Sequence, residues 1–414
     1  MAYFKFDDAD QYVTHTPYEA FAQLRKEAPF ALHQSADGSN HSFWLATRYH
    51  DIIALSKSPK LFSTIAPLLA DPIPKEFRAM NPGLGMIADN LTSFEFQKHE
   101  PFRVIINSLL FSGPRLAEME SSVRRICIDV MAKVSRQPQF DFAADVALPI
   151  PLEVILGKLL GIPAQDLGAI ATHVLTINGM DDPVFRPNQL ALMEAADELF
   201  AYGMSILHRL KIAPEENLLS EIVHMTTANN IPPEELFMAY WFPLIAGAFD
   251  TTASAIAGGI EGLLQFPEQL KLICDNPGIV PSAVEEMLRW SSPVIYFRRT
   301  AMEDTEFKGN PIKKGGKVLL CYASANRDEE VFANPDSFDV KRSPNKHLAF
   351  GYGPHFCMGA RIASLILRVF LEEFLTLLSR LQLNGPIIRT RSVWINRIRT
   401  MPVRNRLQTA AAAN

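Results

Sequence analysis

The sequence predicts a mainly α-helical domain with small β-sheets at its periphery, built around one long central helix. Apolar residues recur at helical spacing through most of the chain, whereas β-prone runs bounded by turn residues occur in only two regions. No Gly/Ser-rich linker or low-complexity block divides the chain before the Ala-rich residues 408–414, which we expect to fray. We therefore expect residues 1–414 to form a single large domain.

The predicted elements follow from these patterns. Residues 31–34 and 42–47 flank an Asp37-Gly38 turn and predict one hairpin, and residues 305–322, interrupted by glycines, predict a second. Helices are predicted at residues 114–134, 193–210, 234–264, 281–290 and 358–381.

The central helix contains the most apolar window of the chain, residues 242–264. The window is long enough to span a bilayer, but its middle carries Asp250, Thr251, Thr252 and Ser254, which are costly in lipid. A helix buried inside the protein is therefore favoured. Pro232-Pro233 and Pro267 bound it, which gives about 34 residues and about 50 Å. Pro243 is expected to kink it.

Composition narrows the class of protein. Hydrophobic residues make up 48% and charged residues 21% of the 414 residues, as in globular proteins, and the net charge of −5 argues against nucleic-acid binding. The four cysteines show no C-x-x-C spacing, so a disulfide framework or zinc finger is not expected. The first thirty residues contain no apolar signal-peptide core. These features predict a cytoplasmic protein without a membrane anchor.

The segment 350–360, FGYGPHFCMGA, carries the clearest chemical signal. Cys357 is placed where a helix begins, so the helix dipole and free N–H groups can stabilise a thiolate, which is a metal ligand. Gly351 and Gly353 permit positive φ, and Gly359 lets a flat surface approach the backbone. The alternative interpretation is a Gly-rich turn with an inert buried cysteine.

This segment resembles the haem-binding signature of the cytochromes P450, F-x-x-G-x-x-x-C-x-G, from Phe350 to Gly359. The resemblance implies the cytochrome P450 fold and haem b as the cofactor, with Cys357 as the proximal thiolate ligand of its iron. It extends over most of the chain. Residues 293–332 look like bacterial members that hydroxylate terpenoids or sterol side chains.

A second constellation lies on the central helix, at Ala246-Gly247 and Asp250-Thr251. A threonine hydroxyl can bond the carbonyl four residues back, here that of Gly247, and so open a notch in the helix. The segment is similar to the family's oxygen-activation motif, which implies that Asp250 and Thr251 deliver protons and that Ala246 and Gly247 lie against the haem. A satisfied polar patch is the alternative.

Charged residues elsewhere match further family positions. Glu286 and Arg289 alone predict only a helix-surface pair, but the resemblance makes them, with Arg342, the structural support of the proximal loop. The two propionates of a haem are carboxylates that, when buried, need cations and hydrogen-bond donors as partners. The resemblance assigns that role to His99, Arg103, Arg299 and His355. The residues before His99 depart from the family pattern, and Arg298 could replace Arg299.

The substrate pocket is assigned by resemblance to five segments, at residues 68–87, 177–185, 244–249, 294–297 and 393–395. Their side chains are mostly aliphatic or aromatic, which suits a neutral apolar substrate, although each could equally belong to the core. The assigned pocket residues are Ile87, Leu244, Phe249, Val294, Ile295, Phe297 and Trp394.

No dinucleotide-binding fingerprint is present, so we expect electrons from NAD(P)H to arrive through a ferredoxin reductase and a ferredoxin. A basic patch for the ferredoxin is predicted at Lys98, Arg103, Lys346 and Arg361, and the arginine-rich residues 389–406 are predicted as solvated ends of a terminal hairpin. The predicted activity is O2-dependent hydroxylation or epoxidation of a terpenoid, steroid or aromatic-like substrate. A peroxide-using enzyme and a non-catalytic haem sensor or electron carrier remain the alternatives.

Overall fold

The computed structural model describes residues 4–35, 42–66, 68, 73–110, 113–225 and 230–406. The helices in these residues are α1 (Tyr18–Glu27), α2 (Tyr49–Ser56), α3 (Lys75–Met80), α4 (Pro82–Ala88), α5 (Phe96–Leu110), α6 (Gly113–Val134), α7 (Pro149–Pro151), α8 (Leu167–Asn178), α9 (Gln189–Ile212), α10 (Leu218–His224), α11 (Pro233–Ala246), α12 (Phe249–Gln265), α13 (Pro267–Asp275), α14 (Val280–Ser291), α15 (Tyr322–Ala325) and α16 (Ala360–Leu378). Two π-helical segments, Ala143–Ala147 and Leu152–Leu159, flank α7.

The strands are short: β1 (Phe30–Gln34), β2 (Ser42–Ala46), β3 (Phe62–Ser63), β4 (Gln139–Asp141), β5 (Tyr296–Ala301), β6 (Thr305–Phe307), β7 (Asn310–Ile312), β8 (Lys317–Cys321), β9 (Leu381–Leu383), β10 (Ile388–Arg389), β11 (Ile398–Thr400) and β12 (Pro402–Asn405). The largest sheet has the order β1-β2-β8-β5-β3, in which β2 and β8 run parallel. Smaller sheets pair β4-β12-β9, β10-β11 and β6-β7. The prediction of a helical protein with small sheets is confirmed.

The first predicted hairpin is present, since β1 and β2 pair antiparallel from Phe30↔Ala46 to Gln34↔Ser42. Its Asp37-Gly38 turn lies outside the described residues, as do residues 408–414. In the second region β6 and β7 form the hairpin, while β8 pairs with β2 and β5 instead. Strand β8 therefore belongs to the main sheet.

The central helix is two helices rather than one. Helix α11 ends at Ala246, and α12 begins at Phe249 after a two-residue turn. Pro243 has no N–H to offer to the carbonyl of Ala239, and that carbonyl instead accepts the N–H of Leu91 at 3.0 Å. The predicted kink has thus become an interruption just after Pro243. None of the described helices is both long and apolar enough to cross a membrane.

The ends of α16 also differ from the prediction. The helix starts at Ala360, because Gly359 precedes it as the N-cap, and it stops at Leu378. Leu381, predicted to be helical, opens β9 and pairs with Asn405 of β12. The apolar spacing continues through this junction, so periodicity alone could not locate the change from helix to strand.

Strand β8 separates two of the three apolar clusters of the core. Val318 and Leu320 pack with the cluster around Phe30 and Phe332, whereas Leu319 and Cys321 pack with the one around Phe6. This division follows from the two-residue repeat of a strand. The third and largest cluster surrounds α12, α14 and α16.

Candidate active site

The segment that carries Cys357 folds back on itself ahead of α16. The N–H of Cys357 donates to the carbonyl of Phe350 at 2.9 Å. Gly351 and Gly353 have φ of +71° and +78°, as their positions in the sequence predict. A Cβ on Gly353 would lie 2.7 Å from the carbonyl oxygen of Ser56, so close packing against α2 also requires glycine there. The loop therefore holds the cysteine in one fixed place.

The Cys357 thiol lies just before α16 rather than in its first turn. Burial raises the pKa of this thiol, while hydrogen bonds from the backbone N–H groups of Gly359 and Ala360 and the charge of Arg103 act in the opposite direction. The residue is nevertheless exposed, so a ligand from outside the protein can reach it. A bound metal ion would hold the sulfur as a thiolate.

Four basic side chains meet beside this loop. His99 of α5 and His355 have ring centroids 4.0 Å apart, and Arg103 follows His99 by one helical turn. Burial, and then the charges of His99, Arg299 and Arg103, lower the pKa of His355 to about 2. Burial and Arg103 lower that of His99 to about 4. Within the described ranges no carboxylate forms an ion pair with any of the four.

Such a group of bases without counter-charges suits a dianion, and the two propionates of a haem supply one. Cys357 therefore fits the iron of a haem, and this cluster, with the charges of Arg103 and Arg299 and the ring N–H groups of His99 and His355, fits its propionates. His99, whose flanking sequence departs from the family pattern, is 3% exposed and belongs to the cluster. His355 also lies within 3.3 Å of the Thr64 hydroxyl.

Arg299, not Arg298, faces this cluster. Neighbouring residues of β5 point to opposite sides of the sheet, and only the charge of Arg299 acts on His355. Arg299 also interacts with the hydroxyl of Tyr322. Arg298 reaches the carbonyl of Leu68 at 3.5 Å. The alternative assignment to Arg298 is therefore not supported by the geometry.

The notch in the central helix lies at the junction of α11 and α12. The Thr251 hydroxyl donates to the carbonyl of Gly247 at 2.7 Å, which is the hydrogen bond that the sequence predicts. Gly247 is exposed, and Ala248 and Thr251 are half-buried, so these three form the open face. Ala246, assigned to that face from the sequence, is 4% exposed and packs in the main core. Ala248 takes its place.

Asp250 is fully buried and held by two residues that the sequence did not indicate. Arg397, just before β11, donates from Nε to Oδ1 at 2.7 Å and from Nη2 to Oδ2. Asn178, at the end of α8, donates to Oδ2 at 3.0 Å and to the carbonyl of Ala246 at 3.0 Å. The prediction of solvated arginines at 389–406 is wrong for Arg397, which is 6% exposed. A buried acid requires a counter-charge, but the sequence does not say which arginine supplies it.

Glu286 is the centre of a buried network, not of a surface pair. Arg289 donates to both of its carboxylate oxygens, at 2.7 and 2.8 Å, and neither side chain is exposed. Arg342 donates to Oε2 at 3.1 Å, as the third member implied by the resemblance. The backbone N–H of Asp339 and the Asn345 amide complete the set, at 2.8 and 3.0 Å. Asn345 carried no signal in the sequence.

The seven residues assigned to the substrate pocket fall into two groups. Ile87, Val294, Phe297 and Trp394 are half-buried, and the rings of Phe297 and Trp394 lie 6.3 Å apart. Leu244, Phe249 and Ile295 are only 4%, 0% and 1% exposed and pack in core clusters. A side chain that lines a pocket should expose more surface, so we place these three in the core.

Comparison with known proteins agrees with this geometry. The sequence profile of the family described as Cytochrome P450 matches residues 279–384. Cytochrome P450-terp of a Pseudomonas species is 33% identical, over 94% of this chain and 93% of that protein. Linalool 8-monooxygenase of Pseudomonas putida is 31% identical, over 95% and 97%. The structure of a Mycobacterium marinum cytochrome P450 in complex with pseudoionone superposes with a TM-score of 0.84, covers 94% of each chain and is 27% identical. The chain belongs to the cytochrome P450 family and is a haem-thiolate monooxygenase with haem b as its cofactor.

Proposed function

We propose that the protein hydroxylates or epoxidises a neutral, hydrophobic substrate of terpenoid type. The observation that carries the proposal is the apolar wall formed by the half-buried rings of Phe297 and Trp394, which lie 6.3 Å apart and offer no charge. The names of the relatives point the same way, since one acts on linalool and one structure contains pseudoionone. A charged substrate would find no partner on this wall.

The side chains around the haem site have distinct roles in this proposal. When bound, the haem supplies the oxygen chemistry of monooxygenation. Cys357 binds its iron, while Arg103, Arg299, His99 and His355 pair with its propionates. Phe350, Gly351 and Gly359 shape the loop that brackets Cys357. The support for these roles is the cluster of basic side chains around His355 and the exposed position of Cys357.

Proton delivery is assigned to Thr251 and Asp250. Thr251 is on the open face of the notch, so its hydroxyl is the proton donor there. Asp250 replaces that proton, but both of its oxygens are engaged by Arg397 and Asn178. Delivery therefore requires Asp250 to leave Arg397 for part of the cycle. Loss of Thr251 or Asp250 would favour the peroxide-using alternative. Because the chain has both side chains, that alternative is not favoured.

We propose that electrons come from NAD(P)H through a ferredoxin reductase and an acidic ferredoxin, but with fewer docking cations than the sequence predicted. Lys98 pairs with Glu235 at 3.1 Å, and Arg103 is in the cluster beside Cys357. Lys346 and Arg361 are exposed on either side of the Cys357 loop in sequence, and these two are proposed to contact the ferredoxin. All four cysteines are free, which supports a reducing, cytoplasmic location.

The test is a titration of the ferric holoenzyme with neutral terpenoids, followed by product analysis with NADH, ferredoxin and reductase. We expect linalool and similar alcohols to shift the haem spin state and to be converted to products carrying one more oxygen. Phe297→Ala should weaken their binding about tenfold through lost apolar contact. Phe307→Ala removes the same half-buried ring from β6 and should leave binding unchanged. A panel of neutral terpenoids without any spin shift would contradict the proposed substrate class.

A further inference from the structure

The buried side chain of Tyr322 lies on the same side of the main sheet as Phe297 and Arg299. Tyr322 opens α15 directly after β8 and is 2% exposed. Across the pairing of β5 with β8, Phe297 lies opposite Leu320, and Arg299 lies opposite Val318. Residues opposite each other in a sheet share a face, and Leu320 and Val318 pack in the same apolar cluster as Tyr322. The tyrosine therefore belongs to the haem side of this sheet.

The Tyr322 hydroxyl lies between Arg299 and the Cys357 loop. A hydrogen bond from Arg299 and the charge of its guanidinium both act on this hydroxyl. A Cβ on Gly351 would lie 3.6 Å from the hydroxyl oxygen, so the loop passes close to it. The rings of Tyr322 and Phe297 are 6.3 Å apart, at 72° to each other. Tyr322 thus borders the substrate wall, a proposed propionate partner and the loop that carries the iron ligand.

Asn326 fixes the turn that carries Tyr322. Its backbone N–H donates to the carbonyl of Tyr322 at 2.9 Å, and its side-chain oxygen accepts the N–H of Leu348 at 2.6 Å. The carbonyl of Leu348 in turn accepts the N–H of Gly351 at 2.9 Å. Because Asn326 is fully buried, these bonds hold Tyr322 and the start of the Cys357 loop in one fixed arrangement.

The hydroxyl has a proton to donate but no acceptor for it among the described residues. A guanidinium only donates, so the Tyr322 oxygen is the acceptor in its bond with Arg299. Burial raises the pKa of this hydroxyl, which therefore keeps its proton at neutral pH. None of the described carbonyls or carboxylates accepts that proton. The protein does not seal the oxygen off, so a group bound in the haem site can reach it.

A haem propionate is an acceptor of the required kind. A carboxylate bound by Arg299 keeps further lone pairs, and its charge makes a hydrogen bond from a neutral hydroxyl stronger. We propose that the Tyr322 hydroxyl is a further hydrogen-bond donor to the propionate that pairs with Arg299. The inference rests on the propionate role proposed for Arg299. Tyr322 adds a directed donor to that pair and, as its acceptor, holds the guanidinium in place.

The test compares Tyr322→Phe with Tyr12→Phe in the holoenzyme. Tyr12 is 3% exposed and donates to the carbonyl of Phe6, so the control removes the same hydroxyl from another buried position. Haem loss is measured by transfer to excess apomyoglobin, and propionate hydrogen bonding by the propionate bending band of the resonance Raman spectrum. Tyr322→Phe should lose haem about ten- to hundredfold faster, because a hydrogen bond to a charged group is lost. It should also lower the frequency of the band, whereas Tyr12→Phe should change neither.

Arg299→Gln separates this inference from the role of Arg299 on which it rests. A band that shifts in Arg299→Gln but not in Tyr322→Phe would overturn the role of Tyr322 alone. A band that shifts in neither variant would place the propionates elsewhere and overturn both assignments. Faster haem loss from Tyr322→Phe with an unchanged band would show that Tyr322 only supports the fold. No arm uses a substrate, so none of these results depends on the proposed substrate class.

Discussion

The pairing of Asp250 with Arg397 can be tested by a double-mutant cycle. Arg397→Gln leaves a fully buried carboxylate with Asn178 as its remaining side-chain partner, and Asp250→Asn leaves a buried guanidinium without a counter-charge. Removing one partner of a buried ion pair costs about 3–5 kcal/mol, because the other charge remains desolvated. The double variant carries no buried charge, and we expect it to cost no more than either single variant.

These values convert to measurable shifts. With about 2.1 cal/mol/K per residue over 414 residues, the unfolding entropy is about 0.9 kcal/mol/K, so each single variant should lower Tm by about 3–6 °C. Urea unfolding of the holoenzyme, followed by far-UV circular dichroism, gives the coupling energy, expected at about 3 kcal/mol. The exposed pair Asp10 and Arg391 is the control and should show no measurable coupling. If the two single effects add up to the double effect within about 0.5 kcal/mol, the buried pair is refuted.

Three further predictions concern the haem site and its support. Cys357→Ala should abolish the long-wavelength Soret band of the reduced carbon monoxide adduct. Cys274→Ala, which removes another free thiol, should retain the band. Survival of the band in Cys357→Ala would exclude this cysteine as the ligand. Thr251→Ala should divert reducing equivalents from product to hydrogen peroxide. Thr252→Ala is the control, because the hydroxyl it removes donates to the carbonyl of Ala248, and it should not divert them. Equal peroxide yields from the two variants would remove Thr251 from proton delivery. Glu286→Gln should destabilise the protein by about 3–5 kcal/mol, and Glu285→Gln, which affects a partly exposed contact with His347, by less than about 1 kcal/mol. Equal urea midpoints for these last two variants would show that Glu286 is not the buried centre of its network.

The sequence allows most elements of the fold to be predicted because their signals are local. The bounds of α6 and α14 lie within one residue of the predicted ones, since apolar periodicity and flanking prolines mark both helices. The break between α11 and α12 was not predicted. Nor was the contact of Leu91, distant in sequence, whose N–H satisfies the Ala239 carbonyl that Pro243 leaves without a partner.

The residues of the candidate site also divide into those with a local sequence signal and those without one. Positions fixed by a short motif, such as Cys357, Thr251 and the glycines at 351 and 353, could be identified from spacing. Residues that act through tertiary contacts could not be identified from spacing. Asn345 reaches Glu286 across 59 positions, and Arg397 reaches Asp250 across 147. For the substrate pocket, apolar composition did not distinguish Phe249, which is core, from Phe297, which is half-buried.

The contacts of Asp250 come from several elements, so the proton delivery proposed for it would depend on more than one helix motif. Asn178 ends α8, and Arg397 belongs to the C-terminal strand region, where its guanidinium also lies 4.9 Å from the ring of Phe185 in the connection between α8 and α9. The same connection is fixed by Asp181, whose carboxylate accepts the N–H of Val393 at 3.2 Å. A movement of this connection would therefore disturb Arg397 and Asn178 together. Because a buried carboxylate is stable only while its partners stay in place, we propose that such a movement would free Asp250 to serve Thr251.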